Sequence, residues 1–351
     1  MQNGKGLLGR LRAYASDSAA ILRNRTCEVL NVSLNEQSCN LNCRVCGFSN
    51  PDVRSMYSTR SAMSLETFQK LVDAVPNRRT FQFDISAIAE TLQFKELPYY
   101  IGLLKRARPL VKTVISTNGT LLTEKLCEDL VASGLDGIQF SLYAPDAAGY
   151  KFITQTDFPY ERVLTNLDLL LGARGGRKTP SIWLFIYDIQ DYRARSVDLT
   201  ERYRGRIDEV YFRALYDTAG VTAHGLGEVP AERYPCGMLW YSGAIRSNGD
   251  FLMCYPAQWL DRTHSVGNVH VDSLASYWQK LEEPRRLHLA GRWNEIPACK
   301  NCDVWKSTPS VFARRTDGTF YIPRHRWVLA RVVNFLKEAG FKRPGARVHR
   351  S

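Results

Sequence analysis

Seven of the nine cysteines lie in two spaced groups, and the first group has a spacing that suits metal chemistry. Cys39, Cys43 and Cys46 follow the pattern C-x3-C-x2-C, so three thiols lie in one short loop. Thiolates are soft ligands, and iron–sulfur clusters are normally held by cysteine sulfur. Because a [4Fe–4S] cluster has four irons, three cysteines leave one iron open to another ligand. A zinc site is the alternative, although zinc knuckles favour paired C-x2-C spacings.

The second group contains four cysteines and comes late in the chain. Cys236, Cys254, Cys299 and Cys302 end in a C-x2-C pair. Four thiolates leave no iron of a cluster open, so such a centre is better suited to moving electrons than to binding a substrate. A structural zinc ribbon is the alternative, because zinc is commonly held by four thiolates.

Composition narrows the class of protein. The chain has 351 residues and a formal charge of +12, with basic stretches at 10–25 and 324–350. No apolar run is long enough to cross a bilayer, and no signal-peptide pattern follows the N-terminus. Spaced cysteines indicate metal ligation in a reducing compartment, so we expect a cytoplasmic enzyme. No aromatic-and-basic RNA-binding motif accompanies the charge, so nucleic acid is not an expected partner.

The elements that must position these cysteines alternate between strand-like and helical patterns. The strand-like runs are 28–34, 80–86, 113–117, 137–142, 181–187 and 209–215, and helical patterns cover 64–75, 97–107, 124–133 and 160–172. Regular alternation predicts an α/β fold with a parallel sheet and right-handed crossovers. In parallel β/α barrels the working residues lie at the carboxyl ends of the strands, so functional side chains are expected there.

The first cysteine group, placed after the first strand, resembles the signature of the radical S-adenosylmethionine (SAM) enzymes. Val45 stands where that family usually has an aromatic residue. The resemblance implies a partial (βα)6 barrel and a [4Fe–4S] cluster whose open iron is chelated by SAM. An electron from that cluster would cleave SAM to a 5′-deoxyadenosyl radical, which abstracts a hydrogen atom from a small-molecule substrate. An electron donor such as flavodoxin or ferredoxin is the expected partner.

The same resemblance assigns a SAM pocket to three strand ends. Glu90 matches the glutamate of the family's Gly-Glu-Pro segment, although alanine and threonine flank it here. In the family this glutamate helps to hold the SAM amino group, and a carboxylate opposite an ammonium makes a charge-assisted hydrogen bond. By resemblance, Ser116 and Asn118 line the pocket after the third strand, and Ser141 contacts the SAM ribose or carboxylate.

Candidates for catalysis lie where the fifth and sixth strands end. Tyr187 closes the fifth strand, and Arg213 and Asp217 come at the end of the sixth. Because an arginine is costly to bury in a barrel without an anion or a proton-transfer partner, Arg213 is a substrate-binding or proton-accepting candidate. Trp183 and Phe185 either line the site or, as the alternation favours, belong to the core.

The region after Gly220 resembles the auxiliary-cluster module of radical SAM enzymes. An Asn248-Gly249 hairpin lies between the first two cysteines of the second group, and a strand-turn-helix pattern precedes the C-x2-C pair. This is the order of the SPASM module, and four cysteines fit its short form, called twitch, which holds one [4Fe–4S] cluster. The spacing is most similar to that of the 2-deoxy-scyllo-inosamine dehydrogenases of aminoglycoside biosynthesis. The predicted organisation is a basic segment (1–24), a radical SAM partial barrel (25–220), a small α+β twitch/SPASM auxiliary-cluster domain (221–306) and a basic tail (307–351).

Together the two modules imply an oxidoreductase with SAM and two [4Fe–4S] clusters. The expected reaction oxidises a carbinol C–H of a small sugar, aminocyclitol or nucleoside-like metabolite to a ketone, with antibiotic biosynthesis as a setting. No G-x-G-x-x-G dinucleotide fingerprint accompanies it.

Three alternatives remain open. An epimerase generally needs a cysteine hydrogen donor near the barrel mouth, where neither Cys27 nor Cys127 is expected. Peptide-modifying (RiPP maturation) enzymes usually add an N-terminal winged-helix segment, for which 24 residues leave no room. A zinc-bearing RNA-binding protein would leave the barrel pattern unexplained. In the tail, apolar residues at helical spacing from 327 to 336 predict a basic amphipathic helix that packs on its own domain or contacts a membrane surface.

Overall fold

The computed structural model describes residues 27–57, 61–86, 88–189, 191–222, 232–260, 264–307 and 312–323. The basic N-terminal segment and the predicted tail helix lie outside these ranges. Within them, no helix is both long and apolar enough to cross a membrane.

Nine strands form one sheet. They are β1 (Val29–Val32), β2 (Gln82–Ile85), β3 (Lys112–Thr117), β4 (Gly137–Tyr143), β5 (Ser181–Tyr187), β6 (Glu209–Arg213), β7 (Ser242–Ile245), β8 (Asp250–Leu252) and β9 (Ser265–Asn268). Their order is β6-β5-β4-β3-β2-β1-β7-β8-β9. From β1 to β6 every pair of neighbours is parallel, as in the predicted barrel of six units.

Helices follow the strands and cover the sheet. They span Pro51–Tyr57, Leu65–Ala74, Leu97–Ala107, Glu124–Ala132, Ala147–Thr154, Tyr160–Arg174, Tyr192–Arg195, Val197–Arg202, Met238–Tyr241, Leu274–Lys280, Glu282–Leu289 and Pro297–Lys300. Several begin at a side-chain cap: Ser64 accepts from the Thr67 amide, and Thr123 accepts from the Leu126 amide. Such caps satisfy amide groups that have no partner inside the helix. The spare Cys127 is fully buried in the core, as its helical context predicts.

The C-terminal module continues the barrel sheet, which the sequence did not predict. β7 pairs parallel to β1, and the Asn31 side-chain amide donates to the Ser242 hydroxyl at 2.8 Å and to the Gly243 carbonyl at 2.9 Å. β7 and β8 form the predicted antiparallel hairpin, with Gly249 at φ +86° in its turn. A short ribbon, Ala313–Arg314 with Phe320–Tyr321, follows the module.

The turn after β3 requires a glycine for two separate reasons. Gly119 has φ +73°, and a Cβ there would overlap the Phe140 ring. Gly205 has a similar φ of +74°, but a Cβ at that position would meet no atom within 4 Å. The two sites therefore separate backbone strain from steric overlap.

We expect Gly119→Ala to destabilise the fold clearly more than Gly205→Ala. In the control, Gly205→Ala, the free energy of unfolding should fall by about 1 kcal/mol, because alanine is strained in the left-handed backbone. Gly119→Ala adds overpacking, which typically costs a further ~1–3 kcal/mol. Urea unfolding of both variants measures the difference, and equal losses would show that Phe140 moves aside at no cost.

Candidate active site and cluster sites

A cavity of about 320 Å³ lies at the carboxyl ends of β1 to β6. It contains all three cysteines of the first group and most of the other predicted site residues. Those lining it are Cys39, Cys43, Cys46, Glu90, Ser116, Asn118, Ser141, Tyr187 and Arg213. Residues far apart in sequence meet here because parallel strands deliver all their carboxyl ends to one edge.

The turn after β3 holds the cysteine loop in place. The Asn118 side-chain amide donates to Asn40 Oδ1 at 3.1 Å, and Asn40 Nδ2 donates to the Thr120 hydroxyl at 2.6 Å. Asn118 Oδ1 in turn accepts from the Thr120 amide at 2.9 Å and from its hydroxyl at 2.6 Å. Asn40 directly follows the first cysteine, so Asn118 positions that loop as well as lining the cavity.

Glu90 is buried and held by three donors. Its Oε1 accepts from the Thr117 hydroxyl at 2.5 Å and from the Leu92 amide at 3.0 Å, and its Oε2 accepts from the Asn118 amide at 2.9 Å. Only 4% of the residue is exposed, and burial raises the pKa of its carboxyl despite these donors. Among the described residues Oε2 has a single donor, so it keeps room to accept a hydrogen bond from a cationic ligand in the cavity.

The cysteine thiols are neutral in the absence of a metal. Burial raises the pKa of Cys39 to about 12 and the pKa of Cys43 well above its usual value. Neighbouring thiols add to both shifts, because thiolates placed close together repel one another. A bound cationic metal centre would offset this cost, since ligating thiols are deprotonated outright.

The donor set fits a polynuclear cluster. Within the described ranges, no three His, Cys, Asp or Glu side chains converge closely enough to hold a single metal ion. A cuboidal cluster makes a different demand, because each of its cysteines ligates a separate iron. Three thiols that line one cavity without forming a single-ion site are compatible with that demand.

Aromatic side chains form another wall of the cavity. The Tyr143 and Tyr187 rings stack with centroids 6.0 Å apart, and Phe185 packs edge-on against Tyr187 at 4.9 Å. Tyr143 adopts φ +68°, a sparsely populated conformation for a bulky residue. Burial raises the pKa of Tyr187, so its phenol is neutral and can donate a hydrogen bond. Trp183 does not line this cavity and packs instead beside Gly137.

The two charged candidates of β6 are separated. Arg213 lines the cavity with an exposed side chain, and its guanidinium lies 5.9 Å from the centre of the Phe185 ring. Asp217 is not among the lining residues. Its Oδ1 accepts from the Thr222 amide at 3.3 Å, and its carbonyl accepts from the Asp303 amide at 2.9 Å. The structure therefore brings Asp217 to the second cysteine group's loop and not to the cavity.

Asp84 is a cavity residue that sequence reasoning missed. It lies in β2, and its Oδ2 accepts from Gln82 Nε2 at 3.2 Å. Its Oδ1 is buried and has no hydrogen-bond partner in the part of the chain that the structure describes. Burial raises the pKa of Asp84 to about 6. Its position within a strand pattern, pointing to the barrel interior, was the only available sequence signal.

The second cysteine group lines a smaller, apolar cavity. All four members, Cys236, Cys254, Cys299 and Cys302, contribute to its wall. Met238 and Val304 line this cavity and also the barrel cavity. The two sites are therefore separated by one layer of side chains.

Two further residues at this second cavity were also missed. His288 is fully buried, and burial lowers the pKa of its ring to about 3. Arg233 donates to the Cys299 carbonyl at 2.7 Å, and its guanidinium lies 5.0 Å from the centre of the Trp293 ring. Neither residue could be predicted, because neither stands at a metal-binding spacing from the cysteines in the sequence.

Family models match both parts of the chain. Residues 37–197 match the radical SAM superfamily, and residues 236–303 match SPASM, an iron–sulfur cluster-binding domain. The predicted fold class is thereby confirmed. The same matches support SAM and two [4Fe–4S] clusters as cofactors. The finer domain boundaries stay a prediction.

One curated relative matches a short part of the chain. The probable GTP 3′,8-cyclase of Methanocella arvoryzae (strain DSM 22066 / NBRC 105507 / MRE50) is 35% identical over 71 residues. That match spans 20% of this chain and 23% of the relative.

Solved structures resemble the chain over most of its length. BtrN in complex with AdoMet and 2-DOIA has a TM-score of 0.54 at 16% identity, covering 79% of this chain and 92% of BtrN. Native anSMEcpe with bound AdoMet has a TM-score of 0.56 at 12% identity, covering 89% and 96%. Streptococcus suis SuiB bound to precursor peptide SuiA has a TM-score of 0.56 at 15% identity, covering 87% and 76%. At these identities the likeness concerns the fold.

We expect Glu90→Gln to destabilise the protein by about 1–3 kcal/mol. The carboxylate now accepts hydrogen bonds from three donors. The glutamine amide must turn its NH2 group toward one of them, which leaves a buried donor unpaired. Glu66→Gln is the matched control, because Glu66 is exposed in the first turn of its helix. Thermal unfolding compares the two, and an equal change in melting temperature would contradict the assigned hydrogen bonds.

Proposed function

Because this chain is a radical SAM enzyme with a SPASM-type iron–sulfur domain, we propose that it oxidises a carbinol C–H of a small sugar, aminocyclitol or nucleoside-like metabolite to a ketone. The observation that carries this proposal is the wall that Met238 and Val304 form between the two cavities. An electron released in the barrel would cross only that wall to reach the second cysteine group. Such proximity is what an internal electron acceptor requires, and an enzyme of redox-neutral chemistry has no need of it.

The two cysteine groups are proposed as separate cluster sites. Cys39, Cys43 and Cys46 would hold the cluster that binds SAM, and the remaining four, Cys236, Cys254, Cys299 and Cys302, would hold the auxiliary cluster. Glu90 would accept from the SAM ammonium through its less occupied Oε2. Ser116, Asn118 and Ser141 would complete that pocket, with Asn118 acting mainly by fixing the cysteine loop.

When bound, SAM and its cluster supply a radical that takes a hydrogen atom from carbon, and the auxiliary cluster supplies a site for the remaining electron. The protein must then accept the proton of the substrate hydroxyl. Asp84 suits this role better than Asp217, because it lines the cavity, its Oδ1 has no partner among the described residues, and its pKa is raised to about 6. The neutral Tyr187 phenol would donate to a substrate oxygen, and Arg213 would attract anionic groups at the mouth.

Peptide modification is the second candidate function. It is favoured by the likeness to SuiB bound to its precursor peptide, which extends over 87% of this chain. A peptide substrate would need an open mouth, and the exposed Arg213 lies there. Screening small carbinols and peptides side by side for 5′-deoxyadenosine release and a product two hydrogens lighter separates the two functions. A flavodoxin or ferredoxin is the proposed electron donor in either case.

We expect loss of the auxiliary site to uncouple SAM cleavage from oxidation. In a Cys254→Ala/Cys302→Ala variant, iron should fall from about eight to about four per chain, because one [4Fe–4S] cluster is lost. 5′-Deoxyadenosine should still form, but ketone should not. Iron analysis and product mass spectrometry provide the measurements.

The matched control for that variant is Cys127→Ala, which removes a buried thiol outside both groups. It should keep both clusters and ketone formation. Full ketone yield without the auxiliary cluster would contradict its role as electron acceptor. SAM consumption with unchanged substrate mass would favour epimerisation.

We expect Asp84→Asn to abolish ketone formation while stabilising the fold at alkaline pH. The Asp84 pKa of about 6 exceeds the ordinary value of about 3.9, so the native state binds more protons and stability falls as pH rises between them. Asp84→Asn removes this penalty and should gain on the order of 1–2 kcal/mol at pH 8. Thermal unfolding at pH 4 and pH 8 tests the sign.

The activity of the unsubstituted enzyme should follow the same group. kcat/KM should rise with pH through about 6 as Asp84 ionises in the free enzyme. Asp217→Asn is the competing variant. If that variant loses turnover while Asp84→Asn keeps it, the proton acceptor lies on the β6 side, as the sequence alone suggested.

A further inference from the structure

His288 joins two cysteines of the second group through its two ring nitrogens. The Cys236 amide donates to Nδ1 at 3.1 Å, and Nε2 lies 3.4 Å from Cys299 Sγ. The side chain comes from the helix Glu282–Leu289 and is fully buried.

The backbone contact determines which ring nitrogen carries the proton. An amide N–H that donates to Nδ1 requires a lone pair there, so a neutral ring must carry its hydrogen on Nε2. That hydrogen then points at Cys299 Sγ. A doubly protonated ring is excluded because it has no acceptor for the Cys236 amide.

We infer that His288 sets the reduction potential of the auxiliary cluster by donating an Nε2–H hydrogen bond to Cys299 Sγ. This inference deepens the proposed function and rests on Cys299 being a cluster ligand. Hydrogen bonds to the sulfurs are among the factors that set the potential of iron–sulfur clusters. A donor stabilises the reduced form more, because that form carries more negative charge. His288 is thus a positioning residue that makes the cluster easier to reduce.

Arg233 acts in the same direction. Besides its bond to the Cys299 carbonyl, it donates to the Lys300 carbonyl at 3.4 Å, which fixes it beside the C-x2-C loop. Burial lowers the pKa of Arg233, and the nearby Cys299, Cys302 and Cys236 oppose that shift, as expected for a cation close to these three cysteines. A fixed positive charge and a hydrogen-bond donor on one cysteine suit a cluster that accepts an electron from substrate.

Two substitutions separate the donor from the rest of the imidazole. In His288→Asn, the amide oxygen can take the place of Nδ1 and accept from Cys236, but no group reaches Cys299. In His288→Gln, the longer amide places an N–H group where Nε2 was. Both are made in a Cys39/Cys43/Cys46→Ala background of the full chain, so that the auxiliary cluster is the only one observed.

The measurement is a potentiometric titration followed by electron paramagnetic resonance of the reduced cluster. At a fixed potential near the midpoint, His288→Asn should show about a tenfold lower ratio of reduced to oxidised cluster, which equals a shift of about −59 mV for one electron. His288→Gln should stay close to the parent. An exchangeable proton coupling in the parent should persist in His288→Gln and vanish in His288→Asn.

His270→Asn is the control, because its ring contacts the Thr67 hydroxyl at 3.1 Å instead of a cysteine. It should leave the potential unchanged. An unchanged potential in His288→Asn at full iron content overturns the inference, and so does loss of the cluster in both His288 variants, which would make the role structural. Because no substrate is used, failure of the proposed oxidation would leave this result intact.

Discussion

The parallel pairing of β1 with β7 is the constraint on which the functional arrangement depends. β1 carries the first cysteine loop at its carboxyl end, and β7 lies one ladder away with Leu30 opposite Gly243. The lack of a side chain at Gly243 matters here, because a Cβ would lie 2.6 Å from the Tyr277 hydroxyl. That hydroxyl donates to the Leu252 carbonyl at 2.8 Å and so joins the hairpin to the helix behind it. The C-terminal module is therefore fixed to the barrel by backbone pairing and by a buried aromatic.

This rigid junction explains why two chemically different sites can share a wall. Met238 follows Cys236 by two residues and lies just before β7, so its position is tied to the strand that pairs with β1. Val304 follows Cys302 by two residues, and the Asp303 amide donates to the Asp217 carbonyl just past the end of β6. The C-terminal module therefore contacts the barrel at both edges of the six barrel strands, at β1 and just past β6. A flexible linker between two independent domains could not keep this single layer of side chains in place between the two cavities.

Sequence patterns predicted the features that depend on local periodicity and spacing. The six barrel strands, the hairpin at Gly249 and both cysteine groups all follow from alternation, turn residues and ligand chemistry. Pairings between distant segments could not be predicted, because the sequence pattern of a strand such as β7 does not indicate which strand lies beside it. Asp217 was expected at the cavity because it continues the β6 pattern, but β6 ends at Arg213, and the Asp217 side chain accepts from the Thr222 amide instead of lining the cavity. His288 carries no spacing signal, as its contacts form only after the helix docks.

Two local costs lie at the barrel cavity. Asp84 keeps a buried oxygen without a partner among the described residues, and Tyr143 accepts an unfavourable backbone at the end of β4. Elsewhere on the barrel, the more exposed Asp208 carboxylate is paired: it accepts from Arg174 and from the Ile182 amide at 2.8 Å. Beside Asp84, the Asn31 side chain directs both of its amide hydrogens to β7. In the proposed reaction, the substrate hydroxyl would be the partner that Asp84 Oδ1 lacks among the described residues.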